Sequence, residues 1–164
     1  MKIGIYTDPH YSSQEITCGN RYNNKSLDKM RDAYRDFEAA GCDMVICLGD
    51  LTDTEDTKEQ ELCNMRKIAD FFAACPIPTT VVMGNHDAYV FEPTEFYALL
   101  GGCEPRDVVT GNTTLLFLNA NYNPTAPPII PTHFSGMNAI CPPWDYGSGW
   151  TMPRGMCSYF CTKT

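Results

Sequence analysis

Residues 79–87 read Thr79-Thr80-Val81-Val82-Met83-Gly84-Asn85-His86-Asp87, an apolar run that ends on a glycine and then delivers a carboxamide, an imidazole and a carboxylate. Short runs rich in β-branched residues and bounded by turn formers read as buried strands. Two earlier stretches have the same build. Lys2–Thr7 leads into Asp8-Pro9-His10, and Asp43–Leu48 leads into Gly49-Asp50. Three strands therefore end in residues able to bind or transfer protons. In open α/β sheets the carboxyl ends of the strands form the rim where ligands bind.

The intervening segments read as helices. Ser26 is expected to cap one that runs to about Ala40, with Leu27, Met30, Tyr34 and Phe37 at helical spacing and Gly41 as its stop. Thr57 caps a second, to about Cys75, with Leu62, Met65, Ala69 and Phe72 as its buried stripe and Pro76 and Pro78 beyond its end. Pro93–Leu100 reads as a short helix. Asp107–Thr110 and Thr113–Ala120 flank Gly111-Asn112, the signal for a hairpin with a type II′ turn. The order β-α-β-α-β-α-β-β implies the α/β class, a mostly parallel central sheet flanked by helices. Residues 9–25 and 49–56 are polar loops, and Asp53, Glu55 and Asp56 read as a solvated acidic stretch, with support of a neighbouring site as the alternative.

After Ala120 the composition changes. Residues 121–164 hold seven of the twelve prolines and three charged residues, with neither helical nor strand periodicity. The reading is a core over residues 1–120 and an irregular, Pro-rich tail of the same domain over 121–164. A truncation or frame change would give such a tail.

The totals agree with a single domain. The chain has 164 residues, long enough for a real core. Its formal charge of −8 argues against general nucleic-acid binding and against an anionic membrane surface. A phosphate substrate stays open, because bound divalent ions reverse the local field. Nine cysteines without a CxxC pair or a signal peptide fit a reducing, cytoplasmic setting, and Cys42, Cys47, Cys63 and Cys75, in or beside apolar runs, read as small buried hydrophobes. No stretch approaches the roughly 20 apolar residues of a membrane span.

The strand ends carry the chemistry. Asp8 and His10 offer an oxygen and a nitrogen to one point, a donor set that suits Mn, Fe, Zn or Ni. Asp50 has two oxygens and can bridge two cations. Asn85 is a neutral oxygen ligand. His86 can reach a substrate oxygen as an acid, and Asp87 can orient its ring.

Taken in order, the Asp-x-His, Gly-Asp and Gly-Asn-His-Asp elements resemble the calcineurin-like metallophosphoesterase family over roughly residues 1–120. The resemblance implies an αββα sandwich carrying a dinuclear metal centre. Asp8 and His10 would hold one ion, Asp50 would bridge, and Asn85 would hold the second. A metal-bound hydroxide would attack a phosphomonoester or phosphodiester, a nucleotide among them, while His86 protonates the leaving oxygen. Arg21, in the 9–25 loop, would contact phosphate. The family pattern also includes three further histidines, two of them in a Gly-His-x-His element. This chain has only His10, His86 and His133. His133 sits in Pro131-Thr132-His133-Phe134 and is read as a loop residue near the site mouth, a second candidate substrate contact. The expectation is thus an incomplete sandwich with one filled or partly filled metal site and weak or absent activity of the chain alone. An apolar face is left for self-association. The alternative is a non-catalytic interaction module, or a fragment that needs a partner chain.

Overall fold

The computed structural model describes residues 1–14, 21–53, 55–119 and 121. The expectations for the tail, and for His133 with it, lie outside the described residues. Three parallel strands form the central sheet in the order β1 (Ile3–Tyr6), β2 (Met44–Cys47), β3 (Thr79–Val81). Ile3 pairs with Met44 and Tyr6 with Cys47; on the other side Val45 pairs with Thr79 and Cys47 with Val81. Every residue of β2 is buried, as expected for the middle strand of a covered parallel sheet.

The crossovers are α1 (Ser26–Ala39) and α2 (Lys58–Ala74). Their apolar stripes bury Leu27, Met30 and Tyr34 from α1, and Met65, Ile68 and Phe72 from α2, against Val45, Cys47 and Val81. The Tyr34 ring meets Phe71 edge-to-face at 5.0 Å, and its hydroxyl lies 2.8 Å from Thr79 Oγ1, which ties α1 to β3. Gly4 interrupts the first apolar run for a packing reason. A Cβ there would lie 2.7 Å from the Phe37 ring.

The helix ends follow the sequence with one exception. Thr57 closes a capping box with Gln60, which accepts the Thr57 N–H at 3.0 Å while the Gln60 N–H donates to Thr57 Oγ1 at 3.3 Å. Gly41 takes φ +69°, and the Cys42 N–H donates to Phe37 O at 2.9 Å, the bond pattern of a glycine-terminated helix. Ser26, expected as a cap, is instead the first residue of α1. A 3₁₀ turn at Asn23–Lys25 runs directly into the helix, so the backbone is already helical where a cap residue would be extended.

Two short helices follow β3: α3 (Asn85–Val90) and α4 (Pro93–Leu99). The hairpin β4 (Val108–Thr110) with β5 (Thr113–Leu115) is antiparallel and forms its own two-stranded sheet. Gly111 has φ +57° while Asn112 does not take positive φ, as a type II′ turn requires. Strand pairing stops at Leu115, short of the expected Ala120.

Among the described cysteines all five are free thiols. Cys47 is fully buried, and burial pushes its pKa up to about 12. Cys42 and Cys75 are partly buried. Cys63, expected inside, is exposed on the outer side of α2. Among the described residues no helix is long and apolar enough to cross a membrane.

Candidate metal centre at the strand ends

Beyond the last residues of β1 and β2 the two chains stay laced together. The Asp8, His10 and Tyr11 N–H groups donate to Gly49 O, Asp50 O and Leu51 O at 3.1, 3.0 and 2.8 Å. Tyr11 and Thr52 then form a parallel bridge. Asp8, His10 and Asp50 all adopt left-handed backbone conformations, with φ 55°, 45° and 54°. Such residues cost free energy unless the surroundings hold them, and the lacing is what holds them. It turns all three side chains toward one point.

Gly84 ends the third strand's run and adds the third wall. It packs against Gly49 and Asp50 so closely that neither glycine has room for a Cβ. The residues after it form the first turn of α3 rather than an open turn. The His86 N–H donates to Asp50 Oδ1 at 2.9 Å, so the segment that carries Asn85 and His86 is fixed directly to the Asp50 side chain. Asn85 is half-buried as the first residue of α3.

His10 Nε2 lies 3.5 Å from Asp8 Oδ1 and 3.7 Å from Asp50 Oδ2. These separations are too long for hydrogen bonds. They are a little wider than the roughly 3.0–3.4 Å between neighbouring ligand atoms around an ion with bonds near 2.1 Å. The donor atoms of Asp8, His10 and Asp50 all lie within 4.8 Å of one another. One imidazole nitrogen and two carboxylates around a shared space fit a divalent transition metal. A second group with the same spacing is His10, Asp53 and His86. The rings of His10 and His86 meet edge-to-face, centroids 4.7 Å apart.

Asp53 departs from the sequence reading. It is buried, not solvated. Its Oδ1 lies 3.8 Å from His10 Nδ1 and 3.7 Å from His86 Nδ1. Its Oδ2 accepts from Asn23 Nδ2 at 2.7 Å and lies 3.6 Å from Arg21 Nη2. Asn23 also donates to His10 O at 2.6 Å. One carboxylate thus sits between both histidines and the exposed arginine of the preceding loop. Glu55 is buried as well, because Ser12, Gln14 and Asn64 donate to it at 2.6, 2.8 and 2.6 Å. Asp56 alone of the three is exposed. The signal that could have found Asp53 is its position three residues after Asp50, on the same strand-end loop.

Asp87 takes a different task from the expected one. Fully buried, it accepts the N–H groups of Asp50, Leu51 and Gly84, each at 2.9 Å. It therefore fastens the Asp50 loop to the start of α3, and the carboxylate beside His86 Nδ1 is Asp53. Burial pushes the Asp87 pKa up to about 7, against the downward pull of the Gly84 and Leu51 N–H groups.

Comparison with known proteins identifies the family and the fold. A family model described as calcineurin-like phosphoesterase matches residues 1–154. A dimetal phosphatase from Danio rerio, known from its crystal structure, is similar with a TM-score of 0.52 at 24% sequence identity; the match covers 58% of this chain and 32% of that one. That likeness shows the fold, and this chain spans about a third of the length of that phosphatase. No curated protein matches. A parallel sheet whose three strand ends gather two histidines and their carboxylates, matched by a family model over most of its length, places the chain among the calcineurin-like phosphoesterases.

Proposed function

We propose that the chain is a metal-dependent phosphoric ester hydrolase acting on small phosphomonoesters or phosphodiesters, nucleotides included. The convergence of Asp8, His10 and Asp50 on one point carries this reading. Asp8 and His10 would hold one ion, Asp50 would be shared with a second, and Asn85 would complete that side. Mn, Fe, Zn or Ni each suit these donors. When bound, the ions would supply a nucleophile at neutral pH and neutralise charge on the phosphate.

The chain's own residues supply the rest. His86, with Nδ1 turned toward the Asp53 carboxylate, is placed to keep its other nitrogen for a leaving oxygen. Arg21, almost half exposed at the outer side of Asp53, is available to an incoming phosphate oxygen. Asp87 keeps the Asp50 and His86 segments in register.

The test is hydrolysis of bis(p-nitrophenyl) phosphate with Mn²⁺, for the wild type and for His86→Gln. The variant should bind metal as the wild type does while kcat falls by about 10²–10⁴-fold. Equal turnover in the two proteins would remove His86 from the reaction. No turnover by the wild type with metal bound would favour the non-catalytic module.

A further inference from the structure

The ring of His86 is followed by another on the same helix face. Tyr89 lies one turn further along α3, and its ring meets His86 edge-to-face with centroids 6.2 Å apart. His86 meets His10 in the same manner. Three rings thus stand in series, from the carboxylates around His10 outward along α3. The inner two are held in the site. Tyr89 is 62% exposed. It contributes little to the core, since α3 and the residue after it are anchored by the buried side chains of Asp87 and Phe91. A large aromatic ring left in water beside a reactive imidazole has its surface free for a ligand.

On the phosphoesterase reading, the phosphate lies by His10 and the leaving oxygen lies by His86. The group carried by that oxygen then emerges past His86, along the line of α3. We infer that Tyr89 is the stacking platform for this leaving group, so that the site favours phosphate esters whose leaving group bears a planar aromatic ring. Stacking is tolerant of ring identity because every aromatic ligand offers a π-face. An aryl group and a nucleobase are two sources of that chemistry. This inference rests on the phosphoesterase reading and adds a specificity-determining residue to it.

The experiment uses the Mn²⁺-loaded full chain and three non-hydrolysable phosphonates: a benzyl phosphonate, a nucleoside methylene-phosphonate and a cyclohexylmethyl phosphonate. Affinities are measured calorimetrically for the wild type, Tyr89→Ala and Tyr89→Phe. The wild type should bind at least one aromatic ligand more tightly than the alicyclic one. Tyr89→Ala should weaken that aromatic ligand by about tenfold and leave the alicyclic ligand unchanged. Tyr89→Phe, which keeps the ring, should stay close to the wild type. The aromatic ligand that loses affinity identifies the source, aryl or base; loss for both also supports the platform. Equal affinities for all three ligands, or equal effects of Tyr89→Ala on aromatic and alicyclic ligands, would overturn the platform and leave the phosphoesterase reading standing. Failure of every phosphonate to bind the metal-loaded wild type would overturn both.

Discussion

Gly49 and Gly84 meet backbone to backbone. A Cβ on Gly49 would lie 2.4 Å from the Gly84 nitrogen, and one on Gly84 would lie 2.1 Å from both the Asp50 nitrogen and Asp50 Oδ1. The contact joins the ends of the second and third apolar runs. It brings the Asp50 carboxylate within hydrogen-bond reach of the His86 N–H.

Gly84→Ala is therefore expected to lower stability by about 1–3 kcal/mol through forced displacement of rigid backbone. Gly49→Ala should cost more, because Gly49 also has φ +104°, a conformation that strains any residue with a Cβ. Urea denaturation gives the comparison. Wild-type midpoints in both variants would show that the two loops are not in obligatory contact.

Metal binding should be uneven. The Asp8, His10 and Asp50 group supplies three protein donors, whereas Asp50 and Asn85 supply two. Equilibrium dialysis against Mn²⁺ is expected to show one tightly held ion per chain. Asp8→Asn and Asp50→Asn should each weaken it by at least about tenfold, since even residues that only support metal ligands cost 10–100-fold. Two equally tight ions per chain would overturn this expectation.

Asp53→Asn keeps the shape that Asn23 binds and removes the negative charge between His10 and His86. The carboxylate facing both Nδ1 atoms then loses its charge, and outer partners of that kind support metal affinity or activity by about 10–100-fold, so hydrolysis of bis(p-nitrophenyl) phosphate should slow by that order. Steady-state turnover with Mn²⁺ reads this directly. Unchanged turnover would mean that Asp53 serves the fold alone.

Glu61 offers a pH prediction of its own. It is buried on α2, and its Oε1 accepts the Glu55 N–H at 2.7 Å. Its Oε2, and Asn64 Oδ1 one helical turn later, are buried without hydrogen-bond partners. Burial raises the Glu61 pKa against the pull of the Glu55 N–H. The native state then holds a proton that the unfolded chain has released. Stability should fall as pH rises from the ordinary carboxylate value, about 4.3, through the raised native value. Glu61→Gln keeps an acceptor for Glu55 and brings an N–H₂ group toward Asn64. Its Tm should match the wild type near pH 4 and exceed it by pH 7. Parallel Tm curves would show that Glu61 stays ionised in the native state.

Much of this was legible in the sequence because it depends on local pattern. Short apolar runs placed the three strands, Thr57 with Gln60 placed the start of α2, and the polar residues after each run placed Asp8, His10, Asp50 and His86 at one rim. What was not legible depends on partners distant in the chain. Asp53 and Glu55 looked solvated because their donors come from Asn23, Ser12, Gln14 and Asn64, none of them adjacent. Asp87 looked like an orienter of its neighbour His86, yet it accepts backbone N–H groups that lie 36 and 37 residues earlier. Ser26 failed as a cap because the 3₁₀ turn before it had no signal of its own.

The left-handed backbone of Asp8, His10 and Asp50 separates scaffold from chemistry unequally. Asparagine tolerates that conformation as aspartate does and matches it atom for atom. At positions 8 and 50, then, charge can be removed while the architecture is inherited intact. At position 10 no isosteric, uncharged side chain lacks a ligating nitrogen. A lineage of this domain could therefore lose its ions through its acids while keeping its fold, whereas replacing His10 alters both together.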